Sequence, residues 1–176
     1  MKLEDLTSDQ FYIPQRYSML LGFKAIELIK KRTEKGKDVD NQDFKPYSQK
    51  WFGRPAAGLQ KNQLEALQGL QEETEISYTR RDNSILFILI KGYDLYKKTV
   101  YSREYGDGTP NLRATGEMMD GMTVIDSDNN SFMIGWVRPE LSERAFYVNE
   151  LREFFSLNDD EIDELMLYAE NFIVLR

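Results

Sequence analysis

Asp126-x-Asp128-x-Asn130 has the spacing with which a calcium-binding loop begins. Such a loop needs glycine at its sixth position for the sharp turn and a bidentate glutamate at its twelfth. Those positions hold Ser131 and Val137. The cage is not closed, and the stretch reads as the solvated turn of a hairpin. Asp159, Asp160, Glu161, Asp163 and Glu164 form a second carboxylate group. Metal-dependent phosphoryl chemistry requires carboxylates converging from different elements. These follow one another along one helix and fan outward, as acids at a helix start do. Gly106-Asp107-Gly108 follows no strand and lacks the lysine of a phosphate-binding loop. Lys30, Lys31, Arg32, Lys35 and Lys37 form the one basic cluster. It could touch phosphates, as a nucleic-acid patch would, but the favoured reading is that it complements the negative end of a helix. No aromatic residues interleave with it, so no single-strand binding track is built there.

Phe44, Tyr47, Trp51 and Phe52 stand apart from these groups. Four aromatics in a short segment with Pro46 and Pro55 bring large apolar area without a regular element. They either pack back as a satellite core or anchor a partner, since aromatic side chains dominate interface energetics.

The elements that must position these groups follow from periodicity. Pro14 suits the first turn of a helix, and Gln15 to Lys35 has helical spacing with Tyr17, Leu20, Leu21, Ile26, Leu28 and Ile29 apolar. Gly36 then stops it. The stripe is wide enough to need cover from a sheet or another helix. Residues 37 to 55 read as irregular because of their prolines, and 58 to 70 as a short helix on Leu59, Leu64, Leu67 and Leu70. Glu75 to Arg80 and Ile85 to Ile90 read as a hairpin around Asp82-Asn83. A helix through the apolar run is the competing reading, because periodicity does not separate short apolar runs. A short helix carries Tyr93, Tyr96, Lys97 and Val100, and a loop follows at 105–110. Thr115 caps a short helix that turns Met118 and Met119 inward. Met122 and Val124 pair with Phe132, Ile134 and Trp136 across a turn at 127–130. Pro139 starts a helix through about Phe146. Asn158 caps the last one, with Ile162, Leu165, Tyr168 and Phe172 as its apolar face. The sum is α+β: a long N-terminal helix and C-terminal helices packed on a small, mostly antiparallel sheet.

The chain has 176 residues, 41% of them hydrophobic and 30% charged, with 23 Lys and Arg against 30 Asp and Glu. One domain spanning residues 1–176 is the expectation, with an extended aromatic loop region at about 37–72. Cysteine and histidine are absent. This excludes disulfides, thiol nucleophiles, Ser-His-Asp and Cys-His machinery, zinc sites built on Cys or His, and a histidine switch. No catalytic, cofactor-binding or metal-ligating residue is assigned. The net charge of −7 repels bulk nucleic acid unless the basic residues share a face. The polar first ten residues do not look like a signal peptide, and the apolar run 85–90 is too short to cross a bilayer. A soluble, intracellularly made protein is expected.

Three stretches carry a resemblance. The first is Lys31-Arg32-Thr33 with Gly36, followed by Asp43-Phe44-Lys45-Pro46-Tyr47-Ser48. The second is the run Pro110-Asn111-Leu112-Arg113-Ala114-Thr115-Gly116-Glu117-Met118-Met119-Asp120-Gly121-Met122-Thr123-Val124, with Ile134-Gly135-Trp136 after it. The third is Arg152-Glu153-Phe154-Phe155-Ser156-Leu157-Asn158-Asp159-Asp160-Glu161. In this order, from about Gln15 to Leu165, they resemble the virion-morphogenesis proteins of tailed bacteriophages, the tail-completion and neck family. The resemblance implies a non-enzymatic structural protein of the phage neck or head-proximal tail end. It implies several copies in a ring around the DNA channel, with portal or adaptor proteins on one side and tail-tube proteins on the other. DNA would pass through the lumen without specific binding. No cofactor and no membrane are implied. The protein would be made in the host cytoplasm and end in the virion. On this reading Phe44, Tyr47, Trp51, Phe52, Met118 and Met119 are interface residues. The alternative is a small cellular adaptor or binding domain without catalytic activity.

Overall fold

A computed structural model describes residues 11–70, 72–78, 85–101, 110–113, 116–129, 131–172 and 174–175. In chain order the elements are β1 (Phe11–Tyr12), α1 (Gln15–Glu34), β2 (Trp51–Pro55), α2 (Lys61–Gln68), β3 (Thr74–Tyr78), β4 (Ile85–Lys91) and α3 (Tyr93–Val100). Then come α4 (Glu117–Asp120), β5 (Met122–Ser127), β6 (Phe132–Trp136), α5 (Pro139–Leu151), α6 (Asp159–Ala169), a 3₁₀ turn (Glu170–Phe172) and β7 (Val174–Leu175). The class is α+β. The strands fall into three small antiparallel sheets, β1–β7, β2–β4–β3 and β5–β6.

The chain divides into two compact units where one domain was expected. Residues 1–44 with 111–176 form the first, and residues 45–110 the second. Each closes its own core. In the first unit Ile26, Ile29, Phe44, Met118, Met119, Met122, Ala145 and Phe154 are buried together. In the second Leu67, Ile88, Ile90, Tyr96 and Val100 do the same.

In the first unit α1 lies on the β5–β6 hairpin. Gly22 makes this possible: a Cβ there would stand 2.6 Å from Val124 and 3.2 Å from the Phe132 ring. α6 runs antiparallel along α1, and three contacts fix its register. Tyr17 stacks on Phe172 at 4.7 Å, Lys24 Nζ reaches Glu164 at 3.0 Å, and Arg32 pairs with Glu161. The Asn158 side chain accepts from the Glu161 N–H, and Glu161 reaches back to the Asn158 N–H. This capping box satisfies two donors that a helix start leaves open. Just before it, Phe154 and Phe155 are pinned through their N–H groups, which both donate to Asn149 Oδ1.

In the second unit β4 is the central strand. Its Ile88 and Ile90 face α2 and α3, and Phe87 and Leu89 point to the other side. The hairpin reading of this region is the observed one, and its turn at 79–84 lies outside the described residues. β2 corrects the expectation of an irregular segment from 37 to 55. Pro55 is compatible with it because β2 is an edge strand, where a missing N–H costs no ladder bond. Three further differences stand in the first unit. α5 continues to Leu151 instead of stopping near Phe146. The N-cap of α4 is Gly116, and Thr115 lies outside the described residues. Ile162, expected on the inner face of α6, is exposed.

Candidate functional site

The chemistry-bearing groups of the sequence are dispersed or tied up. Asp126, within β5, accepts from the N–H of its neighbour Ser127, and Asp128 closes the hairpin turn by accepting from the Ser131 N–H. Asn130 lies outside the described residues. Among the described residues no three Asp or Glu side chains come together as a metal cage. The acidic run splits: Glu161 turns in to Arg32, Glu164 is held by Lys24, and Asp159, Asp160 and Asp163 are exposed.

The basic run splits as well. Lys31 and Lys35 are exposed, and Lys37 pairs with Asp43 at 2.8 Å. Lys30 is half-buried, and that desolvation pulls its ammonium below the usual lysine range. Arg32 is only 5% exposed. It pairs with Glu161, and its Nη2 donates at 2.7 Å to the carbonyls of Phe154 and Ser156. Arg32 is thus a clamp joining the end of α1 to the start of α6. It is not part of a patch offered to phosphate.

The expected interface residues separate by burial. Phe44, Met118 and Met119 lie in the core of the first unit. Gly36 O accepts from the Phe44 N–H at 2.7 Å, and Val39 N–H donates to Glu153 O, so the 36–44 loop folds back and carries Phe44 inward. These three side chains offer no free area to a neighbour and are corrected to core residues. In the second unit Phe52 is half-buried against Tyr93 and Tyr96. Tyr47 packs edge-on to Tyr93, and its Oη accepts from Lys97 Nζ at 3.1 Å. Trp51 alone of the six is open to solvent, at 45% exposure. Of the four aromatics, Phe44 is thus core, Tyr47 and Phe52 pack in part on the second unit, and Trp51 is left exposed.

Around Tyr96 the second unit gathers a polar-aromatic cluster. Arg54 Nε donates to Tyr96 Oη at 3.2 Å, and Tyr96 meets Tyr101 edge-on at 5.9 Å. Burial first, and then the hydrogen bond shared with Tyr96, push the Tyr101 phenol up to about 12.

What the sequence reading missed is surface. In the first unit Met19, Leu20 and Phe23 of α1 are exposed, and so are Ile125 and Met133 on the hairpin and Val137 just after it. Phe146, Tyr147 and Leu151 of α5 and Ile162, Met166 and Leu167 of α6 are exposed too. Met19 and Ile125 share a shallow, open groove with Gln15, Val124, Asp126 and Ser127. Ile125 also lies against Gly135, so the apolar area runs from α1 across the outer hairpin face. The available signal was width: α1 carries apolar residues at 19, 20 and 23 as well as 21, 25, 26, 28 and 29, more than one buried face accommodates. Comparison with known protein families, characterised proteins and solved structures finds no match for the chain.

Proposed function

We propose that this chain is a non-enzymatic structural subunit that assembles with sister copies. The role is the one implied by its resemblance to phage tail-completion and neck proteins: a ring element of the neck or head-proximal tail end around the DNA channel. The observation that carries the reading is the exposed apolar area of the first unit. It sits on α1, the hairpin, α5 and α6 together, and scattered single apolar residues would not need explaining. Area distributed over several faces suits a subunit with more than one neighbour, since head-to-tail ring contacts need two different complementary surfaces on each copy. The first unit holds 13 Lys and Arg against 22 Asp and Glu, and a wall of that sign lets DNA slide without sticking.

Electron microscopy of the purified full-length chain tests this. Closed rings or stacked assemblies are the expected images. Single particles of monomer or dimer size across concentrations favour the small-adaptor reading and end the ring assignment.

A further inference from the structure

We infer that the outward face of α6 and the Trp51 edge of the β2–β4–β3 sheet are complementary docking surfaces, through which one copy of this chain binds the next. The inference rests on the assembly reading above and names its contact.

α6 turns Ile162, Met166 and Leu167 outward, Leu167 at 65% exposure. At 100° per residue, Asp159, Ile162, Asp163, Met166 and Glu170 fall within one sector of about 100°. Among the described residues Asp159, Asp160, Asp163 and Glu170 are exposed and enter no ion pair. The helix itself accounts for Asp159 and Asp160, which stand in its first turn near the positive end of its dipole. It does not account for the others. Asp163 lies beyond that turn, Glu170 occupies the C-cap, where a carboxylate opposes the dipole, and the last turn holds no cation. The face therefore presents negative charge among exposed apolar side chains, and its complement is apolar with cations beside it.

The second unit of the same chain carries that complement. Trp51 is exposed on an edge strand, and its cross-strand neighbour is Lys91. Lys50 precedes it. Both lysines are exposed and make no ion pair among the described residues. Phe87 and Leu89 share Trp51's face, and Phe87 lies across Gly53 so closely that a Cβ there would meet the ring at 2.2 Å. The acid at a register position of that face, Glu75, lies on β3, the far edge. The unit-level charges have opposite signs: 10 Lys and Arg against 8 Asp and Glu in residues 45–110, and 13 against 22 in the first unit. A second copy is the occupant because both complementary surfaces occur in one sequence and differ from each other, as a heterologous contact requires. Trp51 is the anchor, seated among Ile162 and the adaptable Met166, and the charged groups set orientation.

Two full-length variants test it by sedimentation velocity, with circular dichroism confirming that both fold. Trp51→Ala/Lys91→Glu disables the basic face, and Asp163→Lys/Met166→Ala disables the acidic one. Wild type is expected to self-associate, with association weakening as salt rises. Each variant alone is expected to associate more than tenfold more weakly. Their equimolar mixture is expected to form a heterodimer and nothing larger, because one working contact remains. If both variants still associate as wild type does, assembly stands and this contact is wrong. Two monomeric variants that form no complex when mixed also overturn it. A wild type that stays monomeric at every concentration assigns the faces to a different partner, and overturns this contact together with the assembly reading.

Discussion

Arg32 in the first unit and Lys97 in the second are both buried cations, yet their surroundings differ in kind. Arg32 meets a carboxylate and two backbone carbonyls, with its planar fork spanning the end of α1, the 154–156 turn and the start of α6. Lys97, 1% exposed, places its ammonium 3.1 Å from the Tyr47 phenol oxygen and 5.2 Å from the Tyr47 ring centre. The first arrangement is a rigid joint between distant segments, held by charge. The second is a flexible stem packed among aromatics, its head set against the Tyr47 hydroxyl and ring. A contrast holds at the surface too: among the described residues, the first unit exposes large apolar side chains on several elements and the second exposes Trp51. The first unit joins distant segments through a buried ion pair and carries exposed apolar side chains outside it.

Removing the joint has the largest expected effect. Arg32→Met leaves Glu161 buried and uncompensated and two carbonyls without their donor, a loss of about 3–5 kcal/mol in denaturant unfolding. Adding Glu161→Met to that variant restores part of the loss, since no buried charge is then left unpaired. An Arg32→Met loss under about 1 kcal/mol would remove the rigid-joint side of the contrast. Lys97→Met sharpens it from the other side: the isosteric apolar stem keeps the packing and gives up only the ammonium contacts, a loss of about 1–2 kcal/mol. Equal losses for the two variants would erase the distinction. Asn158→Ala removes half of the capping box at the start of α6 and costs about 1 kcal/mol, read as a shift in the unfolding midpoint.

The smallest effect is pH-dependent and belongs to the second unit. The Tyr101 phenol is held up at about 12, above the ordinary tyrosine value of about 10. Between those values the folded state keeps a proton that the unfolded state gives up. Its stabilising contribution is therefore complete below about pH 10 and is lost as pH rises through 12. Tyr101→Phe flattens that alkaline decline. An unchanged slope in the variant contradicts the assignment.

Much of the fold is local and was legible for that reason. The 20-residue stripe of α1, the β5–β6 hairpin with its polar turn, and the Asn158 cap are each written within a few residues. What was not legible depends on partners far along the chain. Nothing beside Arg32 announces Glu161, 129 positions away. β2 becomes a strand because β4 supplies its ladder, and the prolines around it argue the other way until its edge position is known. Phe44 and Trp51 are alike in type and close in sequence. A folded-back loop buries one, and strand register on an open sheet face exposes the other. Ile162 shows the converse: helical spacing points it inward, yet Leu165, Tyr168 and Ala169 already fill the inner face of α6 and Ile162 stays outside.

The assembly reading is tested most directly by the mass of the wild-type chain in solution, measured by sedimentation equilibrium over a wide concentration range. The account predicts a mass that rises with concentration above the 20.7 kDa of one chain toward a defined multiple. A constant 20.7 kDa throughout would contradict it.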